Sequence, residues 1–102
     1  MVNIIDEKQR QLTQLCRQFG VKRFEVFGSA AQQDGFDAHS DMDFLVEFLP
    51  MTAENHSDAY FGFLHALMDL FQRRIDLLET GAIHNPYLME SINRQRVELY
   101  AA

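Results

Sequence analysis

Asp41 and Asp43 open the segment DMDFLVEF, and Asp76 sits between Ile75 and Leu77 in the shorter segment IDLLE. Aspartate is a poor strand former, yet the companions of the first pair, Phe44, Leu45, Val46 and Phe48, belong in a sheet. Side chains two apart on a strand project to the same side about 7 Å apart, so both carboxylates can converge on one or two cations. Without a counter-ion, like charges this close repel. On spacing alone the pair also fits a solvated strand face or a capping turn. Parallel pairing of the two segments would bring Asp76 beside the pair, and a local rule broken at a strand end marks a candidate functional site. Three oxygen donors without a cysteine–histidine cluster suit Mg²⁺ or Mn²⁺ and suit zinc poorly. Such a hard cation keeps positions open for water and phosphate oxygens, and two of them about 3.5 to 4 Å apart can bridge an attacking and a leaving oxygen.

A complement for phosphate lies upstream, at Gly28 and Ser29. Glycine lets backbone approach a ligand closely, and Ser29 offers a hydroxyl and an amide. A helix starting there presents unpaired N–H groups and the positive end of its dipole. Gly-Ser alone is a common turn. Cys16 falls in register with Leu12, Leu15 and Phe19, as a core thiol does, rather than where a nucleophile is needed. His39, beside the acids, could touch a phosphate or an acceptor, although a loop histidine next to aspartates is ordinarily solvated. His56, His65 and His84 say less.

The elements that must position these residues follow from periodicity and punctuation. Residues 5–19 repeat apolar side chains at helical spacing and stop at Gly20, a favoured residue just past a helix end. Residues 21–27 are β-branched and aromatic, and residues 30–33 are good helix formers, which predicts strand, tight turn and short helix. Residues 34–40 form a loop, and residues 41–48 a strand with Met42, Phe44, Val46 and Phe48 on one face and Asp41 and Asp43 on the other. After a second loop, 49–56, Ser57 is the expected N-cap of an apolar helix reaching Phe71. A third strand spans 75–79, Pro86 begins a further helix, and residues 97–100 are strand-like. The order α-β-α-β-α-β-α, with a terminal strand, predicts an α/β (α+β) domain with a small mixed sheet of three to four strands. The long crossover helix makes the second and third strands parallel, and the shorter first link permits an antiparallel pair.

Bulk properties bound the reading. A chain of 102 residues makes one domain, 1–102, that buries roughly 60 to 65% of its unfolded surface, which leaves no room for a second substrate-binding domain. The 47% apolar content supports a globular core, and the formal charge of −6 argues against direct binding to long nucleic acid. One cysteine and a charged N-terminal stretch point to the cytoplasm, with neither secretion nor membrane insertion.

VFGSAA, SDMDFLVEF, IDLLE and the tail NPYLMESINRQRVELY, taken together and in this order, resemble the minimal nucleotidyltransferases of the DNA polymerase beta superfamily over nearly the whole chain. The resemblance implies the single-domain nucleotidyltransferase fold and transfer of a nucleoside monophosphate with loss of pyrophosphate. It also implies that Asp41 and Asp43 hold the metal and triphosphate, that Asp76 is the third catalytic and metal-binding carboxylate, readying the acceptor hydroxyl, and that Gly28 and Ser29 anchor the triphosphate. Mg²⁺ or Mn²⁺ is the implied cofactor and ATP the implied substrate. Short members of this kind look like the antitoxin of a toxin–antitoxin module, forming a hetero-oligomer with a helical HEPN-type ribonuclease and moving AMP onto one of its tyrosines. Two features depart from the family pattern: Gln32-Gln33 replaces an Arg-Gly pair, removing a cation expected beside phosphate, and the interval of eleven residues between Ser29 and Asp41 is one longer than usual. Two other outcomes therefore stay open, a nucleotide-binding antitoxin that neutralises its partner by occlusion and a subunit of a small-molecule adenylyltransferase. The helix DAYFGFLHALMDLF carries apolar residues around most of its circumference, which fits either a deeply buried crossover or a contact surface.

Overall fold

The computed structural model describes residues 2–33 and 35–102. Asp34, which the sequence assigns to the first loop, lies outside the described residues, as does Met1. The elements are α1 (Asn3–Glu7), α2 (Gln9–Gln18), β1 (Val21–Phe27), α3 (Ser29–Gln32), β2 (Met42–Phe48), α4 (Ala53–Phe71), β3 (Ile75–Glu79), a 3₁₀ turn (Thr80–Ala82), α5 (Pro86–Asn93) and β4 (Val97–Ala101). The four strands form one mixed sheet in the order β3-β2-β1-β4. β1 runs antiparallel to β2 and to β4, while β2 and β3 are parallel across the α4 crossover, as the link lengths predict.

Alternation along the strands divides the sheet into two faces. Phe24 and Val26 of β1, with Met42, Phe44 and Val46 of β2, are fully buried in the main core beside Leu12, Cys16, Phe63 and Leu67. Phe24 stacks on Phe44 at 4.8 Å and meets Phe63 edge-on at 5.1 Å, contacts that add about 0.5–1.5 kcal/mol each to the burial of the rings. Leu45 and Ile92 are buried apart from that cluster, Leu45 by alternation on the opposite face. Glu25, also on that face, is buried and meets Arg96 at 3.3 Å. Cys16 is a core thiol, and burial pushes its pKa up to about 12, so it stays protonated and unreactive.

Three boundaries differ from those expected. The first helix is two, broken at Lys8, because residues 6–11 are all polar and set no apolar phase between Ile5 and Leu12. Val2 instead donates its N–H to the Ala30 carbonyl at 3.0 Å, and Val2 and Ile5 bury in the cluster that holds Ala30 and Ala31. Ser57 is not an N-cap: α4 begins five residues earlier than expected, where the Thr52 side chain accepts the Asn55 N–H at 3.2 Å and Glu54 complements the helix dipole. The strand expected from residue 41 begins at Met42, leaving Asp41 at its threshold. α4 buries Phe63, Leu67 and Phe71 as a crossover must, yet leaves Phe61 56% and Met68 39% exposed on its outer side. Among the described residues no helix is long and apolar enough to cross a membrane.

Candidate active site

The antiparallel register of β1 and β2 sets Phe27 opposite Asp43, so the chain leaves β1 directly against the Asp43 side chain. Gly28 occupies this point with φ 70° and ψ −153°, a conformation essentially restricted to glycine. A Cβ there would stand 2.5 Å from Asp43 Oδ2, so the close approach needs glycine on steric grounds as well. Ser29 opens α3, whose buried Ala30 and Ala31 anchor the turn from below. α3 is only four residues long. Its C-cap, Gln33, lies in the left-handed region at φ 70°, at the very pair where the sequence departs from the family's Arg-Gly. Glycine adopts this backbone shape freely, whereas a glutamine adopts it at a cost.

The parallel register of β2 and β3 pairs Asp43 with Asp76. The two carboxyls lie within hydrogen-bonding reach, and Asp43 is pushed up to about 6, first by burial, then by the hydrogen bond and charge of Asp76, then by the charge of Asp41. Asp41 is half-exposed, its Oδ1 4.0 Å from Arg74 Nε. Among the described residues no group of three or more histidine, cysteine or acidic side chains is drawn together as a ready-made metal site. Asp43 and Asp76 converge, while Asp41 makes only a long, exposed contact with Arg74. Asp43 is buried among acids with no cation paired to it among the described residues, and the donors are all hard oxygens, so the set fits a divalent cation such as Mg²⁺ or Mn²⁺.

The loop before Asp41 is fixed locally and from a distance. Asp37 accepts the His39 N–H at 2.8 Å, and Ser40 Oγ accepts the Asp37 N–H at 3.0 Å while donating to the Gly35 carbonyl at 3.2 Å. The His39 N–H is also the main reason that the Asp37 pKa is lowered. Arg73, from the turn before β3, lies over the Phe36 ring at 4.7 Å and donates through Nη1 to the carbonyls of Asp37 and Ser40 at 3.1 and 3.2 Å. One arginine thus ties down Phe36, Asp37 and Ser40, in the segment that delivers Asp41. The next residue, Arg74, has its backbone tied into the sheet, its carbonyl accepting the Met42 N–H at 3.1 Å, while its side chain is 85% exposed. Neither arginine stood out in the sequence. The available signal was their position just upstream of Asp76 once strand pairing is known.

The remaining polar groups lie elsewhere. Tyr60 donates its hydroxyl to the Leu77 carbonyl at 2.6 Å, and its pKa is raised, chiefly by burial and then by Glu79 and Asp76. His56 bonds Glu79 beside a cavity of about 410 Å³ lined in part by Val46, Phe48 and Met51, toward the ends of β2 and β3 away from Asp43 and Asp76. None of the three acids lines it. His39 is exposed and engages the loop through its backbone.

With this geometry, comparison with known proteins gives a consistent answer. The family model for the nucleotidyltransferase domain matches residues 8–99, and the chain belongs to that family. A relative from Methanocaldococcus jannaschii bearing the name "Putative protein adenylyltransferase" is 34% identical over 86 residues, covering 81% of each chain. A second relative of the same name and organism is 28% identical over 91 residues, covering 82% of each. Among solved structures, one described as a "putative minimal nucleotidyltransferase" superposes with a TM-score of 0.67 at 25% identity, covering 93% of this chain and 92% of that one. A chain of a toxin–antitoxin complex with AMP-PNP gives 0.70 at 18% identity, covering 92% of this chain and 73% of that one. A chain of the Shewanella oneidensis complex of a tri-AMPylated HEPN toxin with its MNT antitoxin gives 0.65 at 15%, covering 95% and 72%.

Proposed function

We propose that this nucleotidyltransferase uses Mg²⁺ or Mn²⁺ to move AMP from ATP onto a protein partner, a tyrosine of a HEPN-type ribonuclease toxin bound in a hetero-oligomer in the cytoplasm. The observation that carries the reading is the pairing of Asp43 with Asp76 across parallel strands, directly against Gly28. Asp41 and Asp43 hold the metal and triphosphate, Gly28 and Ser29 anchor the phosphates, and Asp76 serves the acceptor. In the transfer, the acceptor oxygen bonds to the α-phosphorus while the bond to the α–β bridging oxygen breaks, and pyrophosphate leaves with that electron pair. The acceptor proton passes to a carboxylate, a role this reading gives to Asp76, the more exposed of the β2–β3 pair. A bound divalent cation supplies neutralisation of the phosphate charge. The protein partner is supported by the name of the methanocaldococcal relatives and by the modified HEPN toxin in the Shewanella complex.

A second reading is occlusion of the partner without transfer. It is favoured by residues 28–41, which contain no lysine or arginine to meet phosphate. Incubation with α-labelled ATP, Mg²⁺ and a HEPN-type partner separates the two. Label on the partner that disappears in Asp41→Asn and Asp43→Asn supports transfer; tight binding that inhibits the partner with no label, indifferent to both substitutions, supports occlusion.

A further inference from the structure

Nine lysines and arginines offset fifteen acids in this chain, and most of the cations are remote from the acids or engaged. Lys22 and Arg23 pair with Glu47 and Glu98 at the end of β1 away from Gly28. Arg94 and Arg96 pair with Glu90 and Glu25. Lys8, Arg10 and Arg17 belong to the helical layer on the core side of the sheet, opposite the face of Asp43. Arg73 is committed to Phe36 and to two loop carbonyls. Among the described residues, Arg74 is the cation that reaches the acids with a side chain still in solvent.

We propose that Arg74 is the phosphate-contacting cation of the site, exchanging its hold on Asp41 for the phosphates of an incoming nucleoside triphosphate. The proposal rests on the transfer site described above and supplies the positive charge that Gln32-Gln33 does not. Three observations lead to it. The root of the side chain is fixed by the bond from the Met42 N–H to the Arg74 carbonyl, two residues from Asp76. The guanidinium is otherwise free, and its contact with Asp41, at 4.0 Å and 85% exposure, is a weak ion pair that is readily exchanged. A planar guanidinium matches phosphate oxygens through paired charge-assisted bonds, which are stronger than the contact they replace. Binding of metal and triphosphate at Asp41 would thus release Arg74 at the point where new negative charge arrives.

Calorimetric titration of the intact chain tests this without turnover, using Mg²⁺ with α,β-methylene ATP, Mg²⁺ with inorganic tripolyphosphate, and AMP alone as probes. Arg74→Gln is expected to weaken the first two about tenfold, as loss of one charge-assisted contact predicts, and to leave AMP unchanged; Arg74→Lys should recover part of the loss. Unchanged melting temperature controls for folding, since the side chain is exposed. Equal affinity of wild type and Arg74→Gln for the ATP analogue overturns the proposal, as does an equal loss toward AMP. Failure of the wild-type chain to bind either polyphosphate overturns the transfer site itself, an outcome distinct from both.

Discussion

Alternate residues of β2 live in two different environments. Met42, Phe44 and Val46 face the helical layer and are fully buried among Phe24, Phe63 and Leu67. On the other face, Leu45 is buried and Glu47 is partly open, while Asp43 stands against Asp76 with its carboxyl raised to about 6. One strand therefore carries both the cohesion of the domain and a concentration of negative charge that the fold must tolerate. Strained or repulsive features collected at one place, on a scaffold rigid enough to hold them, are what a binding site for a divalent cation requires.

The contrast can be broken by substitution on either face. Phe44→Ala, on the apolar face, should lower unfolding stability by about 3–5 kcal/mol in urea titration; a loss below about 1 kcal/mol would mean that this face is not the source of cohesion. Asp43→Asn, one residue away, should reduce AMP transfer at least about 100-fold, equivalent to about 2.7 kcal/mol of barrier, with the fold intact by circular dichroism. Gly28→Ala should cost about 2 kcal/mol of stability, from its left-handed backbone and from the contact with Asp43 Oδ2.

Smaller effects sharpen the same comparison. In the metal-free protein, Asp43→Asn should be more stable than wild type by about 1 kcal/mol at neutral pH, after allowance for solvent screening of a partly exposed carboxyl. The sign follows from the raised pKa: the Asp43 contribution is complete below its unfolded value near 3.8 and is lost as pH rises through about 6. The advantage of the asparagine should therefore be absent near pH 3.5, grow between pH 4 and 6.5, and level off above. Thermal melts in a chelator across this range check it, and an advantage that shrinks with rising pH would contradict the electrostatic account. Gln33→Gly should stabilise by about 0.5 kcal/mol by relieving a left-handed backbone.

Much of this arrangement was legible from residue types. The crossover length indicated a parallel orientation of β2 and β3, and the adjacency and register that the structure adds put Asp76 beside Asp43. The aspartates at a strand end, the Gly-Ser corner and the core register of Cys16 were each readable because they express local chemistry. Helix boundaries were less so: the break at Lys8 is accompanied by Val2 reaching Ala30 across the fold, and the cap of α4 is Thr52, five residues before the expected Ser57. The arginines were least legible. Arg73 and Arg74 are adjacent and chemically identical, and only tertiary placement gives one to the Asp37–Ser40 loop and the other to Asp41.

Anomalous scattering from crystals grown with Mn²⁺ and α,β-methylene ATP tests the central claim most directly. The account predicts a manganese peak within about 2.5 Å of carboxylate oxygens of both Asp41 and Asp43, with the polyphosphate against Gly28 and Ser29. A peak that touches neither aspartate, or a nucleotide seated away from Gly28, would contradict it.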